Sequence, residues 1–383
     1  MFKKIKAGMV ALLVSVGVCT SVGQAEDVIR LVINLELTGD YSEQGYSAYE
    51  GVRLAVDEVN RQGGVSGKKV ILITGSNRSN ATEAGRVTDK MINEGVVAVI
   101  GPIKYSNIAI ASKMLEGKQI PLISPAGKDP RSTVDRQGNG KPYVFKLTSP
   151  ELMQAQIMAK FARKQIPAKT AAIYVDSSDS DMIDLAETFQ KEFIAQGGQV
   201  SMIKTYEPQN MAYPVTLQNL RFSKPDVIFI AGRAQEAAKA IRYFREQGIK
   251  TSIVGLSNWE SNDFQVAAGA ESLNQVYFCN VFSPSGKDPQ VSQFVDAYKK
   301  RYGGESPSSY AALGYDSAKI VLDQLAKGGE ISSEGLQMSL HTLRDYKGVT
   351  GEITMSKTHE ALRSMVIVEY QDGEPIIRDK VAP

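Results

Sequence analysis

Short apolar runs rich in β-branched residues alternate along this chain with longer stretches whose apolar positions recur every three or four residues. Continuous apolar runs are typical of buried parallel strands, and the wider spacing is typical of amphipathic helices. In the first unit, a strand predicted over 28–35 precedes a helix with Val52, Val56 and Val59 on one face. The alternation therefore predicts βαβ units and an α/β fold with parallel sheets.

The predicted strands fall into two series, separated by a break at Thr148-Ser149-Pro150. Two such series predict two doubly wound lobes, since roughly 358 residues after a leader exceed what one core usually holds. The later elements are too few for a third domain, so we expect them to complete the first two lobes. They are helices near 291–302, 310–326 and 334–343 and β-like runs at 351–355 and 365–370.

The chain opens with three lysines in its first six residues, an apolar run over 7–18 and small residues up to Ala25. This pattern predicts a signal peptide over 1–25, and the run of about a dozen residues is short of the roughly 20 that span a bilayer. We expect the mature chain to start near Glu26 and to be periplasmic or extracytoplasmic. Lipid anchoring at Cys19 is the alternative, disfavoured by the bulky Val18 before it.

Charge and cysteine content exclude several classes of function. The formal charge of +2 falls to about −1 without the leader lysines, so nucleic acid is not an expected partner. Cleavage after Ala25 would leave Cys279 alone, in an apolar run that predicts a buried strand. No disulfide framework and no cysteine metal site are therefore expected.

Motifs of catalysis are missing from the sequence. His341 and His359 are the only histidines, and since they lie 18 residues apart, the sequence has no zinc-binding pair of histidines three or four residues apart. The sequence contains no GxSxG, no Walker loop and no Cys–His pair suited to catalysis. We therefore expect no enzymatic activity, no catalytic residue, no cofactor and no metal.

Several short motifs occur in a consistent order over more than 300 residues. They are LTG at 37–39, GV at 51–52, VIGP at 99–102, PLISP at 121–125, KPDV at 224–227, GYDSA at 314–318 and GVTGEI at 348–353. By their order and spacing, the sequence resembles the type I periplasmic solute-binding proteins, in the leucine/isoleucine/valine-binding branch that serves ABC importers.

The resemblance implies a periplasmic-binding-protein-like type I fold, with two doubly wound parallel-sheet lobes joined by three crossings. The amino-terminal lobe would take 26–148 and 283–350, and the carboxyl-terminal lobe 149–282 and 351–383. Carboxyl ends of strands and amino termini of helices then meet at one crevice, where the lobes close on a ligand.

The function implied is that of an extracytoplasmic solute-binding protein of an ABC importer. It would capture an amino acid or a small carboxylate-bearing solute in the interlobe cleft and deliver it to permease subunits, as a monomer. The alternative is a free-standing sensing module that docks onto a separate membrane receptor.

In the first lobe, the resemblance places ligand contacts in two loops. Tyr105, Ser106 and Asn107 follow the strand over 96–100, where free N–H groups and side chains would hold a carboxylate. Helix capping also accounts for Ser106 and Asn107. Lys128 occupies the position of a Thr in the amino-acid binders, and a solvated surface lysine is the competing interpretation.

In the second lobe, the expected contacts are altered. Ser180 lies in the loop where the amino-acid binders usually carry a Tyr. Arg233 follows the strand over 226–231. Ser257 lies at about the position where the relatives carry the acid that binds the α-ammonium of the ligand. Glu260 and Asp181 are open alternatives for that acid.

Trp259 is the only tryptophan, and either packing or ligand cover would explain it. The added charges of Lys128 and Arg233 favour a small polar or anionic solute over a neutral zwitterion, and a polar amino acid is the alternative.

Overall fold

The computed structural model describes residues 28–327, 331–371 and 374–383. The predicted signal peptide and Cys19 lie outside these residues. Within them, the chain forms two α/β lobes, each built on its own sheet, as the alternating pattern predicts. No helix in this part of the chain combines the length and the apolar character needed to cross a membrane.

The first lobe contains a parallel sheet of five strands in the order β2-β1-β3-β4-β5. All of its strands except the edge strand β2 are largely buried, because helices cover both faces. The strands are β1 (Ile29–Leu35), β2 (Val70–Ser76), β3 (Val96–Ile100), β4 (Leu122–Ser124) and β5 (Val144–Lys146), and the helices between them are α1 (Ser42–Arg61), α2 (Ala81–Met91) and α3 (Tyr105–Glu116).

The second lobe contains seven strands in the order β15-β14-β10-β9-β8-β6-β7. Five are parallel, and the last two strands of the chain add an antiparallel edge. The strands are β6 (Thr170–Asp176), β7 (Gln199–Tyr206), β8 (Val227–Ala231), β9 (Ser252–Gly255), β10 (Val276–Asn280), β14 (Met365–Gln371) and β15 (Glu374–Val381), and the helices are α4 (Leu152–Lys164), α5 (Ser180–Ala195), α6 (Tyr213–Ser223), α7 (Ala234–Glu246) and α8 (Asn262–Ala268). Cys279 is buried in β10, as predicted.

After β10 the chain returns to the first lobe. Helix α10 packs so closely on α1 that a Cβ at Gly51 would lie 1.9 Å from the carbonyl oxygen of Ala311. A Cβ at Gly314 would lie 2.0 Å from the carbonyl oxygen of Ala48, so glycine is needed on both helices. The returning elements are α9 (Pro289–Arg301), α10 (Ser309–Lys327), α11 (Ser333–His341), β11 (Tyr346–Gly348), β12 (Gly351–Met355) and β13 (Ala361–Leu362).

The third crossing between the lobes falls later than the predicted boundary at 350. Ile353, Met355 and Ala361 are buried in the core of the first lobe, and the second-lobe sheet resumes only at Met365. The crossing therefore lies at about Arg363. An isolated strand pattern such as 351–355 fits either lobe, because periodicity does not say which neighbour a strand pairs with.

Two buried charges tie the crossings together. The Asp316 carboxylate on α10 accepts hydrogen bonds from the N–H groups of Val349 (2.9 Å) and Thr350 (2.8 Å). The Arg363 guanidinium donates to the Thr350 hydroxyl and to the carbonyl of Leu147, next to the first crossing. Burial lowers the pKa of Arg363 to about 10, and the nearby charge of Asp316 opposes this shift.

Candidate functional site

A cavity lies where the two lobes and their crossings meet. Its first-lobe wall comes from the loop after β4 and from the start of α10, and its second-lobe wall comes from the segment after β9. The crossings form the rest. Its polar lining includes Lys128, Glu151, Gln154, Ser257, Glu260, Asn280, Ser309 and Tyr310. This is the crevice at the carboxyl ends of the strands, where ligands bind in open α/β sheets.

Lys128 is the cation of this cavity. It lies four residues beyond the end of β4 and remains accessible to water from the cleft, although protein atoms surround it. Among the described residues, its ammonium has no hydrogen-bond or ion-pair partner. Burial lowers the pKa of Lys128, but the charges of Tyr310 and Glu151 raise it, and the net shift is above the usual 10.5. The lysine is therefore charged and open to a ligand.

Glu260 comes from the opposite lobe, in the short helical turn Ser257–Glu260. Its carboxylate accepts hydrogen bonds from the Ser309 N–H at 3.2 Å and from the Ser309 hydroxyl, both at the first turn of α10. Burial raises the pKa of Glu260, against the opposing effect of those hydrogen bonds. Since a helix N-terminus favours negative charge, Glu260 caps α10 across the cleft.

Glu151 lies at the first crossing, immediately before α4, and also faces the cavity. Burial raises the pKa of its carboxyl, the charge of Lys128 lowers it, and Asp181 raises it. No described residue forms a hydrogen bond or an ion pair with this carboxylate. Glu151 belongs to no loop for which the resemblance implies a ligand contact, so its position in the sequence gives no sign that it faces the cavity.

The loop after β3 has a structural role that the sequence analysis did not foresee. Its N–H groups are not free: Ile103 and Lys104 donate to the buried Glu36 carboxylate at 3.0 and 3.1 Å. The Asn107 side-chain amide also donates to Glu36 (2.8 Å) and to Asn77 (3.2 Å). The chain thus supplies its own carboxylate at the position where we expected the ligand's carboxylate.

Two other predicted contacts of this loop lie outside the cavity lining. Tyr105 is half-buried beneath the guanidinium of Arg131, which lies 4.4 Å from the ring centroid. Ser106 is exposed, and its hydroxyl donates to the Asn107 side chain at 3.3 Å. Tyr105 and Ser106 are therefore not part of the lining that contains Lys128.

The second-lobe candidates divide in the same way. Ser257 lines the cavity, and its N–H donates to the Gln154 side chain at 2.9 Å. Arg233 lies outside the lining; its side chain is 70% exposed and reaches the Asp179 carboxylate at 3.4 Å. Ser180, the first residue of α5, is exposed. The cavity thus brings together the candidates Lys128 and Ser257 and also Glu260, one of the two alternatives for the acid; the other, Asp181, is not in the lining.

Trp259 packs in the core of the second lobe and does not line the cavity. It is fully buried and stacks on Phe264 with ring centroids 5.1 Å apart. The indole occupies the space that a Cβ at Gly255 would need, 2.1 Å from the nearest ring atom. Of the two interpretations left open by the sequence, the structure supports packing.

In the described part of the chain, no group of three or more His, Cys, Asp or Glu side chains is arranged to hold a metal ion. The fold and the cavity define a two-lobed binding protein whose site lies between the lobes. The family model described as "Periplasmic binding protein" matches residues 28–375, and the chain belongs to this family.

Individual relatives agree with this assignment. The "Leu/Ile/Val-binding protein homolog 7" of Brucella abortus (strain 2308) is 26% identical, with 89% of this chain and 87% of that protein covered. A solved "putative branched-chain amino acid ABC transporter" from Rhodospirillum rubrum has a TM-score of 0.82 and 24% identity, covering 92% of this chain and 100% of that one. The binding protein LivJ of Streptococcus pneumoniae, solved with isoleucine, has a TM-score of 0.73 and 27% identity, covering 93% and 100%.

Proposed function

We propose that this chain captures an amino acid or another small carboxylate-bearing solute between its lobes, releases it unchanged and delivers it to the permease of an ABC importer. One observation carries the ligand class: the Lys128 ammonium faces the cavity without a partner among the described residues. When the lobes close and the Lys128 ammonium loses water, a carboxylate that forms a charge-assisted hydrogen bond with it stabilises the charge. The names of the Brucella abortus and Streptococcus pneumoniae relatives support an amino acid.

The balance of charge around the cavity argues against a purely anionic pocket. Arg233, the second cation expected there, is paired with Asp179 at the surface, while Glu151 and Glu260 both line the cavity. A solute that brings only negative charge would therefore face two carboxylates beside a single lysine. This favours the amino acid among the proposed ligands.

A thermal-shift screen of amino acids, small carboxylates and amides tests the proposal. A ligand that binds only the folded protein stabilises it by about 2.7 kcal/mol at a hundredfold excess over its dissociation constant. We expect at least one amino acid or carboxylate to raise the melting temperature, and mass spectrometry to recover it unaltered. A screen with no stabilising carboxylate would contradict the proposed ligand class, and recovery of a modified solute would contradict binding without chemistry.

Export is part of the proposal. We expect processing after Ala25 and a mature protein that begins near Glu26, as the leader pattern predicts. Intact mass spectrometry of the secreted protein measures this directly. A diacylglyceryl group on Cys19 would establish lipid anchoring instead.

A further inference from the structure

The cavity contains two side chains of opposite charge that no described residue neutralises by direct contact. Lys128 projects from the first lobe, and Glu151 lies at the first crossing. Each shifts the pKa of the other, so their electric fields overlap within the cavity. The ammonium and the carboxylate form no ion pair within 4.0 Å, and both line the same cavity.

The other carboxylate of the cavity is already in use. Glu260 accepts both the N–H and the hydroxyl of Ser309, and this contact caps α10 across the two lobes. A ligand cation that approached Glu260 would compete with that contact. Glu151 has no such commitment in the described part of the chain, so it is the available acceptor for a positively charged group.

We propose that Glu151 recognises the ammonium of the solute while Lys128 binds its carboxylate, so that the cleft selects α-amino acids over acids that lack the amine. This inference rests on the proposed function and adds the residue that determines specificity. It assigns the ammonium acceptor to a residue at a crossing instead of to Ser257, where the resemblance implied an acid and the sequence carries a hydroxyl.

Electrostatics gives the expected size of the selection. When the cleft closes, an unpaired carboxylate loses water, and this costs free energy unless a cation or donors replace the lost water. A solute with both charges compensates Lys128 and Glu151 together, whereas an acid without the amine leaves Glu151 unpaired. A hydrogen bond to a charged group contributes roughly 1.5–3 kcal/mol, which corresponds to about a tenfold to hundredfold change in dissociation constant.

Calorimetric titration of matched solute pairs tests the inference. The pairs are leucine with 4-methylpentanoate, threonine with 3-hydroxybutanoate, and alanine with propanoate, which differ within each pair by the amine. The proteins are the wild type, Glu151→Gln, Glu151→Ala and, as a control, Glu187→Gln, which changes an exposed glutamate on α5. Two Glu151 variants are used so that a folding defect in one does not decide the result.

The wild type and Glu187→Gln should bind at least one amino acid about tenfold or more tightly than its matched acid, and the Glu151 variants should lose most of that preference. The inference is overturned if the wild type binds the two members of every binding pair equally well. It is also overturned if both Glu151 variants keep the wild-type preference. Either result leaves the proposed function standing. Failure of the wild type to bind any of the six solutes would overturn the inference. If no carboxylate in the wider thermal-shift screen binds either, the proposed function fails as well.

Discussion

The Glu260 carboxylate of the second lobe accepts a hydrogen bond from the Ser309 N–H of the first lobe at 3.2 Å and a second from the Ser309 hydroxyl. One side chain thus caps α10 and connects the two walls of the cavity. Because the acceptor is an ionisable carboxylate, the contact is charge-assisted. It joins the two walls of the cavity directly.

Ser309→Ala tests this connection. The variant removes the hydroxyl donor and leaves part of the buried Glu260 carboxylate unsatisfied, so we expect unfolding free energy to fall by about 1–3 kcal/mol. Urea unfolding measures the change. Ser180→Ala, at an exposed serine in the first turn of α5, is the matched control and should change stability little. Equal effects of the two substitutions would contradict a role for the Ser309–Glu260 contact.

Glu36 gives a prediction about pH. Burial raises its pKa above the usual 4.5, although hydrogen bonds from Ile103, Lys104 and Asn107 oppose the shift. A raised pKa means that the folded state binds the proton more tightly than the unfolded state. Protonation of Glu36 therefore stabilises the folded protein at low pH, and this contribution disappears as the pH rises through the folded pKa. Below 4.5 that contribution is fully present.

The comparison that checks this is wild type against Glu36→Gln in urea unfolding at several pH values. The stability advantage of the wild type should increase as pH falls from neutrality towards 4.5, because only the wild type takes up the proton at this site. A constant difference across the range, or one that shrinks on acidification, would show that the pKa of Glu36 is not raised.

Arg363 and Asp316 hold the crossings through Thr350. Removing the guanidinium with Arg363→Ala leaves the Asp316 carboxylate buried without its nearby cation and removes the donor to Thr350 and Leu147. We therefore expect the free energy of unfolding to fall by about 1–3 kcal/mol. Urea unfolding of Arg363→Ala, Asp316→Asn and the double variant measures the coupling. The two losses should be less than additive, and strict additivity would contradict the coupling.

Trp259 reports on the second-lobe core. Since its ring is fully buried against Phe264, its fluorescence should be blue-shifted in the native protein, resist quenching by acrylamide and shift to the red on unfolding. Ligand binding should leave the wavelength of maximum emission almost unchanged, because the indole does not line the cavity. Efficient acrylamide quenching of the folded protein would contradict the buried position.

The alternating hydrophobic pattern predicted the α/β class and most of the helices and strands, whereas the assignment of the late helices to the first lobe came from the family resemblance. The strand over 351–355 has the predicted bounds, and α10 begins one residue before its predicted start. The short β5, with three residues, carries too little periodicity to be recognised. The lobe to which 351–362 belongs depends on tertiary packing, which local pattern does not encode.

The candidate site was less predictable, for a physical reason. Loops at strand ends indicate where a ligand can bind, but the direction of each side chain depends on contacts from distant segments. Asn107 and the N–H groups beside it were expected to face a ligand, and Glu36, 71 residues away in sequence from Asn107, accepts their hydrogen bonds. Glu151 was overlooked because a crossing carries no motif, while Lys128 and Ser257 were identified because they follow strands.

The measurement that tests the central claim most directly is a calorimetric titration of the best solute from the thermal-shift screen into the wild type, Lys128→Ala and Arg233→Ala. A charge-assisted bond in a cleft that excludes water contributes roughly 1.5–3 kcal/mol, so Lys128→Ala should weaken binding by about tenfold or more. Arg233→Ala should stay within about twofold, since its side chain is 70% exposed and bound to Asp179. Wild-type affinity in Lys128→Ala would contradict a solute held by its carboxylate between the two lobes.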